Sequence, residues 1–322
     1  MTLPTLSPHA AVETGIELFL ASLAEAGPFG RSPLSPGTRR AYGVDLDQFA
    51  RLRHTRVTAP TVASVPTEAV AAFAGHLTDA GRSPRTVARK LAAVRRLFHF
   101  LRSQGVCRCD PSAGVRPPAP SADPAPPTPE EMRALLALPE RGSFTGARNR
   151  ALLELVYGCG LRLSEAVNLN LSHLGLADGR LRITGATPRA VPLGPQAAEA
   201  LRAYLLRRAE VLLAREISSV DAVALFVSAR GRRLHPRSIQ RIVDRYLRHL
   251  GAPPGPPRAE PPRRHRGIGQ LRAACARHLL EAGADPGLVS ALLDRRAAAS
   301  DPDRGREISE LTARYRQAHP RA

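Results

Sequence analysis

Tryptophan is absent from this chain of 322 residues, and aromatic residues make up only 4% of it. Proteins that bind single-stranded nucleic acid stack bases on aromatic side chains, so this scarcity argues against that class. The four cysteines predict no disulfide framework. Cys107 and Cys109 would begin a metal site, but no second cysteine or histidine pair has a ligand-like spacing. We therefore expect ordinary thiols in a reducing cytoplasm, with neither a metal nor a cofactor.

Long apolar runs are also missing, and none approaches the length that crosses a bilayer. The N-terminal apolar stretch carries Glu13 and Glu17 and lacks a basic leader, so we do not expect it to be a signal peptide. No basic amphipathic anchor stands out either. The sequence therefore predicts no membrane partner.

Lysine is nearly absent: Lys90 is the only one among 47 basic residues. The 30 prolines and the many alanines and glycines indicate a GC-rich coding bias, which weakens an argument from any single arginine. The bias does not explain why only 28 acidic residues oppose this charge, giving a formal net charge of +19. Such an excess favours a polyanionic partner, and duplex DNA contacted through its phosphates fits best. We expect a cytoplasmic, nucleoid-associated protein.

The first third of the chain shows helical periodicity without strand-like alternation. Helices are predicted at about 11–26, 38–52, 67–77 and from Ser83-Pro84 to about 101, where serine caps the helix and proline occupies its first position. One face of the fourth helix is apolar, and the opposite face is basic: Arg82, Arg85, Arg89, Lys90 and Arg96. Although such a stripe is usually only a solvated face, the charge of the chain favours DNA contact.

A proline-rich linker, residues 117–128, separates an N-terminal domain (1–116) from a C-terminal domain (129–322). Thr128 and Glu131 form a capping box at the start of the second domain. There, helices are predicted at about 129–138, 145–158, 195–214, 236–250, 268–282, 286–294 and 306–318. Short strands are predicted at 180–184, 190–193 and 222–227. The fold class is therefore mainly α, with a small β-hairpin or sheet in an α+β second domain.

The stretch from Ala147 to Leu171 holds a candidate site. An apolar helix ends at Gly158 and Gly160, and Arg162 follows at a tight inter-helix turn between leucines. A cation on such rigid supports is how a protein fixes charge against a phosphate. The alternative is that Arg162 pairs with Glu165 one turn later and stabilises the corner.

With this order of elements, the chain resembles the tyrosine recombinase, or phage integrase, family, and within it the XerC/XerD type. The resemblance rests on several segments in order along the chain. They are TRRAYGVDLDQF (38–49), SPRTVARKLAAVRRLFHFL (83–101), ARNRALLELVYGCGLRLSEAVNL (147–169), AVPLG (190–194), LFVSARGRRLHPRSIQRIVDRY (225–246) and LRAACARHLLEAGAD (271–285). It implies an N-terminal all-α, SAM-like core-binding domain and a C-terminal catalytic-type domain.

The resemblance also implies a chemistry in which a tyrosine attacks a DNA phosphodiester and keeps a covalent 3′ link. Two arginines hold the non-bridging oxygens, while a lysine and histidines assist proton transfer and support the phosphate. Arg162 and Arg272 match the two arginines. Gly269 replaces the histidine of the H-x-L-R motif, and Gly185-Ala186-Thr187 replaces the hairpin's G-K-G. The family's L-G-H becomes Leu293-Asp294-Arg295.

The nucleophile is expected near Arg304, where no tyrosine occurs. Tyr315 is the only tyrosine after Arg272, and it lies about three turns too late. Two substitutes remain as alternatives to packed or solvated roles: Tyr315 as a relocated nucleophile and His265 as a relocated histidine. Because a positioned donor contributes about 10²–10³ in rate and an acid–base group about 10²–10⁴, these losses predict a pseudo-enzyme.

We therefore expect a DNA-binding protein that clamps duplex DNA between two domains and is catalytically impaired. The alternatives are an active site-specific recombinase that uses Tyr315 and, more weakly, a protein–protein module. Predicted DNA contacts are Arg39, Arg82, Arg85, Arg89, Lys90, Arg189, Arg233, Arg237 and Arg241. The terminal helix predicts self-association, or pairing with a related recombinase subunit.

Overall fold

The structure, a computed structural model, describes residues 7–24, 34–56, 61–119, 125–185, 188–214, 220–250, 267–293 and 313. The chain divides into two compact units, Met1–Ala122 and Asp123–Ala322, and each is described by itself. In the described residues the fold is mainly helical with one small sheet, as expected. No helix in these ranges combines the length and the apolar character that a membrane crossing needs.

The first unit contains helices α1 (Val12–Ser22), α2 (Pro36–Arg56), α3 (Thr67–Asp79) and α4 (Pro84–Ser103). The Ser83 hydroxyl accepts a hydrogen bond from the Thr86 amide at 3.3 Å, so the predicted cap forms. The apolar face of α4 is buried against α1, α2 and α3, where Phe49 meets Phe73 and Phe98 edge-on. Burial of this face, rather than helix propensity, holds the four helices together.

The helices of the second unit match the predicted pattern wherever the structure describes them. They are α5 (Pro129–Ala137), α6 (Phe144–Gly158), α7 (Leu163–Asn168), α8 (Pro195–Leu213), α9 (Pro236–Leu247), α10 (Ile268–Glu281) and α11 (Pro286–Leu293). The predicted capping box is present, because the Thr128 amide donates to Glu131 Oε2 at 2.8 Å and the Glu131 amide donates to Thr128 Oγ1 at 3.2 Å. The final predicted helix, about 306–318, lies outside the described residues except Ala313, which is helical.

Three antiparallel strands form the sheet, in the order β1 (Leu174–Gly175), β2 (Arg180–Ile183) and β3 (Arg189–Pro192). Strands β2 and β3 are the predicted hairpin, with Leu181 opposite Val191. Strand β1 was not predicted, since two residues carry too little pattern to be recognised. The buried side of β2 faces the core of the unit and the other side faces solvent.

The predicted strand at 222–227 is wrong. Val220–Val223 is a 3-10 helix, and beyond it only isolated bridges occur, from Ala224 to Asn170 and from Val227 to Arg233. The run is apolar because it is buried, but side chains satisfy part of its backbone. The Tyr204 hydroxyl donates to Leu225 O at 3.0 Å, and Arg208 Nε donates to Ala224 O at 3.1 Å. A buried segment that has no neighbouring strand can therefore show the same apolar sequence pattern as a strand in the core.

The four cysteines are free thiols. Cys159 and Cys275 are buried in the second unit, and burial raises the pKa of the Cys275 thiol to about 12. The described residues contain no group of histidine, cysteine, aspartate and glutamate side chains that would hold a metal ion.

The turn between α6 and α7 depends on Gly160, whose φ of +58° lies in the left-handed region. A Cβ atom there would overlap Leu293 at the end of α11. We expect Gly160→Ala to lower the free energy of unfolding by about 2–4 kcal/mol, because left-handed strain and overpacking add. Chemical denaturation of the purified protein measures this loss.

Gly283→Ala is the matched control, because Gly283 has φ +84° but open space around its Cα. It should cost only the backbone strain of about 1–2 kcal/mol. Equal losses for the two variants would contradict the proposed contact with Leu293.

A buried histidine makes stability depend on pH. The Tyr157 hydroxyl and His278 Nδ1 lie 2.8 Å apart in the core, and burial lowers the pKa of His278 below its ordinary value. The unfolded chain therefore takes up a proton more readily than the folded one as the pH falls below about 6.5, so stability is lost on acidification. We expect His278→Asn, which does not titrate, to weaken this dependence in denaturation measured at neutral and mildly acidic pH. The exposed control His249→Asn should retain it, and an unchanged pH dependence in His278→Asn would refute the assignment.

Candidate nucleic-acid interface

Arg162 is the N-cap residue of α7, immediately after the Gly160 turn. Its backbone amide donates to Glu165 Oε2 at 2.7 Å, and its guanidinium lies 3.5 Å from Glu165 Oε1. The Arg162 side chain is nevertheless 40% exposed. Arg162 therefore pairs with Glu165, as one interpretation predicted, and its charge is also accessible to a phosphate, as the other requires.

Glu165 is the hub of the site, and Arg189 is its main partner. Arg189 donates to Glu165 Oε1 at 2.7 Å and to Oε2 at 3.1 Å, and its Nε donates to Leu292 O at 2.9 Å. Burial would raise the pKa of the Glu165 carboxyl, but the hydrogen bonds and charges of Arg189 and Arg162 outweigh it and lower that pKa. Glu165 is therefore ionised at neutral pH.

Arg272 reaches the same turn from α10, where it donates a hydrogen bond to Gly160 O. Burial, followed by repulsion from Arg162, lowers the pKa of Arg272 to about 10. The group stays protonated at neutral pH. Three guanidinium groups thus lie near Glu165, and Arg162 and Arg272 could bind an anion such as a phosphate at the turn.

Several catalytic positions implied by the resemblance can be compared with this site. Gly269 is exposed, and a Cβ atom there would meet nothing within 4 Å, so the position of the family's histidine is open space. Tyr315, His265, Asp294, Arg295, Arg304 and the hairpin residues Ala186 and Thr187 lie outside the described residues.

The described tyrosines of the second unit have other partners. Tyr157 lies against His278, and Tyr204 bonds Leu225 O; both are fully buried. The Tyr246 hydroxyl accepts a hydrogen bond from Asn149 Nδ2 at 3.2 Å. These three hydroxyls therefore have partners within the fold of the second unit.

Lys90 departs from its predicted role. It is 7% exposed, and its Nζ donates to the buried carboxylate of Asp45 at 2.7 Å. Arg89 pairs with the same carboxylate but remains half-exposed. The sole lysine of the chain is thus a core ion pair of the first unit and is too buried to reach a phosphate, so we withdraw it as a DNA contact.

Arg189 and Arg233 were also predicted DNA contacts, and both are engaged by the fold. Arg189 is 11% exposed and is held by Glu165. Arg233 donates to Val167 O at 2.9 Å, to Leu169 O at 3.1 Å and to Asn170 Oδ1 at 2.6 Å. The structure therefore gives these two arginines architectural contacts.

The remaining predicted contacts lie on helix surfaces. Arg82 and Arg85, at the start of α4, are exposed, whereas Arg39 on α2 is partly buried. On α9, Arg237 and Arg241 are exposed opposite the buried face. Neither of these two guanidiniums has an ion pair with the described part of the chain. Arg245 and Arg248 extend the same exposed basic surface.

Sequence reasoning missed the central position of the Glu165–Arg189 pair. The Arg162–Glu165 contact was predictable from a helical spacing of three residues, but Arg189 is 24 residues from Glu165 along the chain. The two residues meet because β3 lies beside α7 in the folded unit, and a local sequence pattern does not predict this tertiary contact.

Comparison with known families covers both units. Residues 128–299 match the family described as "Phage integrase family", and residues 16–105 match "Phage integrase, N-terminal SAM-like domain". The first match alone spans more than half of the chain.

Full-length relatives agree. The chain is 35% identical over 302 residues to the tyrosine recombinase XerC of Pseudomonas fluorescens, covering 90% of this chain and 92% of the relative. It is 33% identical over 332 residues to the tyrosine recombinase XerC of Chlorobaculum parvum, covering 95% and 94%.

Solved structures show the same fold. A lambda integrase dimer bound to a COC′ core site superposes with a TM-score of 0.63 at 16% identity, covering 92% of this chain and 77% of that one. The Tn1549 transposon integrase in complex with circular intermediate DNA gives a TM-score of 0.65 at 16% identity, covering 92% and 98%. With two family domains in order and relatives above 30% identity along nearly its whole length, the chain belongs to the phage integrase family of tyrosine recombinases and is XerC-like.

Proposed function

We propose that the protein binds duplex DNA through basic surfaces on both units, holds a backbone phosphate at Arg162 and Arg272, and is impaired in strand cleavage. The observation that carries the proposal is the Arg162–Arg272 pair, two protonated arginines on the Gly160 turn, of which Arg162 is 40% exposed. A phosphodiester is an anion that paired guanidiniums bind through charge-assisted hydrogen bonds.

Binding contacts are assigned to the exposed arginines. Arg237 and Arg241 are exposed on α9, and Arg82 and Arg85 are exposed at the N-terminal end of α4. Neutralising phosphates with such groups releases counterions, which makes the affinity depend on salt. This mode of binding needs neither aromatic residues nor lysine.

Impairment follows from the groups that would move protons. Lys90, the only lysine, is buried against Asp45 in the first unit, so no lysine is available to protonate the leaving 5′ oxygen. Gly269 offers no side chain at the family's histidine position. Each missing group costs orders of magnitude in rate, and loss of the nucleophile removes the covalent route entirely.

A second candidate function is active recombination. It is favoured by the XerC relatives that match along more than nine-tenths of their length. In this alternative Tyr315 attacks the phosphate and forms the 3′-phosphotyrosyl link, with His265 as a proton-transfer group. The arginines alone serve both functions, so cleavage has to be tested directly.

We also propose self-association, or pairing with a related recombinase subunit, through the C-terminal helix. Lambda integrase, which shares the fold, has been solved as a dimer on a core site and as a tetramer bound to a Holliday junction. A protein of this fold therefore has room for neighbouring subunits on one DNA.

The contact of α9 with DNA is tested by Arg237→Ala combined with Arg241→Ala. We expect duplex affinity to fall by several-fold or more, and the slope of log K against log salt to become shallower by about 2, because each lost phosphate contact removes about 0.9. Fluorescence anisotropy over a salt series measures both quantities.

The control is Arg133→Ala with Arg277→Ala, which removes equal charge from exposed residues already paired with glutamates. If the control loses as much duplex affinity, the effect of the α9 substitutions is due to net charge, and the specific contact of α9 with DNA is refuted.

Impaired cleavage is tested with nicked suicide duplexes, on which a covalent protein–DNA adduct accumulates if a tyrosine attacks. We expect no adduct from the wild-type protein under conditions where it binds the duplex, because the proton-transfer groups are missing. Gel electrophoresis under denaturing conditions detects the adduct. Its appearance in the wild type and in Tyr42→Phe, with loss in Tyr315→Phe, would overturn impairment and establish the second candidate.

A further inference from the structure

The outward face of the sheet carries two arginines that no predicted contact includes. Along β2, Leu181 and Ile183 are buried, whereas Arg180 and Arg182 point to solvent. In the strand register, Arg180 lies opposite Gly175 on β1 and Pro192 on β3, and Arg182 lies opposite Ala190. The cross-strand neighbours are therefore small and uncharged. The nearest acidic residue along the chain, Asp178, lies in the turn before β2.

These arginines have no assigned partner within the described ranges. Neither guanidinium makes a hydrogen bond or an ion pair there, unlike Arg189 on the adjacent strand, which is fixed by Glu165. Residues two apart on a strand are about 6.6 Å apart, a spacing comparable to that of neighbouring phosphates on one DNA strand. The outward face of the sheet thus offers two positive charges whose spacing along β2 is similar to that of successive phosphates on a DNA strand.

A bridge of basic groups connects this face to α9. His173, at the end of the 3-10 helix Leu171–His173, has its pKa lowered by burial and then by the charges of Arg182 and Arg233. Its Nδ1 accepts a hydrogen bond from the Asn170 amide at 3.2 Å, and the side chain of Asn170 accepts one from Arg233. Arg233 is fixed by its three hydrogen bonds to the 167–170 segment. Helix α9 begins only three residues later, at Pro236.

We propose that Arg180 and Arg182 form a second phosphate-binding surface, which extends the duplex contact of α9 across Arg233 onto the sheet. This inference rests on the proposed DNA-binding function and deepens it by naming a further part of the protein along the DNA backbone. Because the contact is to phosphates, it adds affinity without reading base sequence. Arg233 acts as a positioning residue, since its guanidinium is already bonded to the fold.

The test combines Arg180→Thr with Arg182→Thr, because threonine suits an exposed strand position and keeps the sheet formed. We expect duplex affinity to fall by about fivefold or more, with a salt slope shallower by about 2, in the same anisotropy assay. The Arg180→Lys, Arg182→Lys variant should restore most of the affinity and the slope, which a purely structural role of the arginines would not predict. The control remains Arg133→Ala with Arg277→Ala.

The outcomes separate this inference from the function on which it rests. If the threonine variant binds with the wild-type slope while the α9 variant is weakened, the second surface is refuted and DNA binding stands. If neither variant changes binding, the proposed function fails as well. A threonine variant that keeps DNA binding but loses self-association would identify the face as a protein interface, which also refutes the proposal.

His173 gives a local readout of the phosphate. A phosphate beside Arg182 and Arg233 offsets their charge, so the pKa of His173 should rise when a duplex binds. Titration of the ring protons by NMR, with His173→Gln to assign the signal, measures this rise. The rise should disappear in the threonine variant, and an unchanged pKa on DNA binding would place the duplex elsewhere.

Discussion

The ion pair between Glu165 and Arg189 is the interaction on which the arrangement of the second unit's site depends. It joins α7, which carries Glu165, to β3, and through Leu292 O it also joins the end of α11. Both carboxylate oxygens are occupied, since the Arg162 amide donates to the same group. A buried carboxylate that lost Arg189 would keep its desolvation cost without its strongest partner, so the pair constrains three elements at once.

The consequence for Arg162 and Arg272 is electrostatic. Arg189 donates to both oxygens of Glu165, whereas the Arg162 guanidinium lies 3.5 Å from Oε1 and Arg272 bonds the Gly160 carbonyl. Burial and then the charge of Arg162 lower the pKa of Arg272 to about 10, and the Arg162 side chain is 40% exposed. Glu165 therefore orders the site and leaves Arg162 accessible to solvent, which suits a site that binds an anionic ligand.

Local patterns predicted most of the helices, the caps at Ser83 and Thr128, the β2–β3 hairpin and the placement of Arg162 beside Glu165. They failed where the answer lay in tertiary contacts. The 222–227 run looked like a strand because it is buried, although Tyr204 and Arg208 satisfy backbone groups there that a neighbouring strand would otherwise pair. Lys90 looked like part of a basic surface because helical spacing does not reveal Asp45, which lies 45 residues earlier in the chain.

The surviving and missing catalytic groups differ in what the fold requires of them. Arg272 bonds the Gly160 carbonyl, and Arg162 caps α7 through Glu165, so both contribute to the structure of the turn. Gly269, by contrast, is exposed and surrounded by open space, so a histidine there would have few packing contacts to lose. A chain can therefore lose such a proton-transfer group at little cost in stability, while it keeps arginines that its core uses. The presence of the arginine pair is accordingly an argument for phosphate binding and fold integrity, and it carries no weight by itself as an argument for strand cleavage.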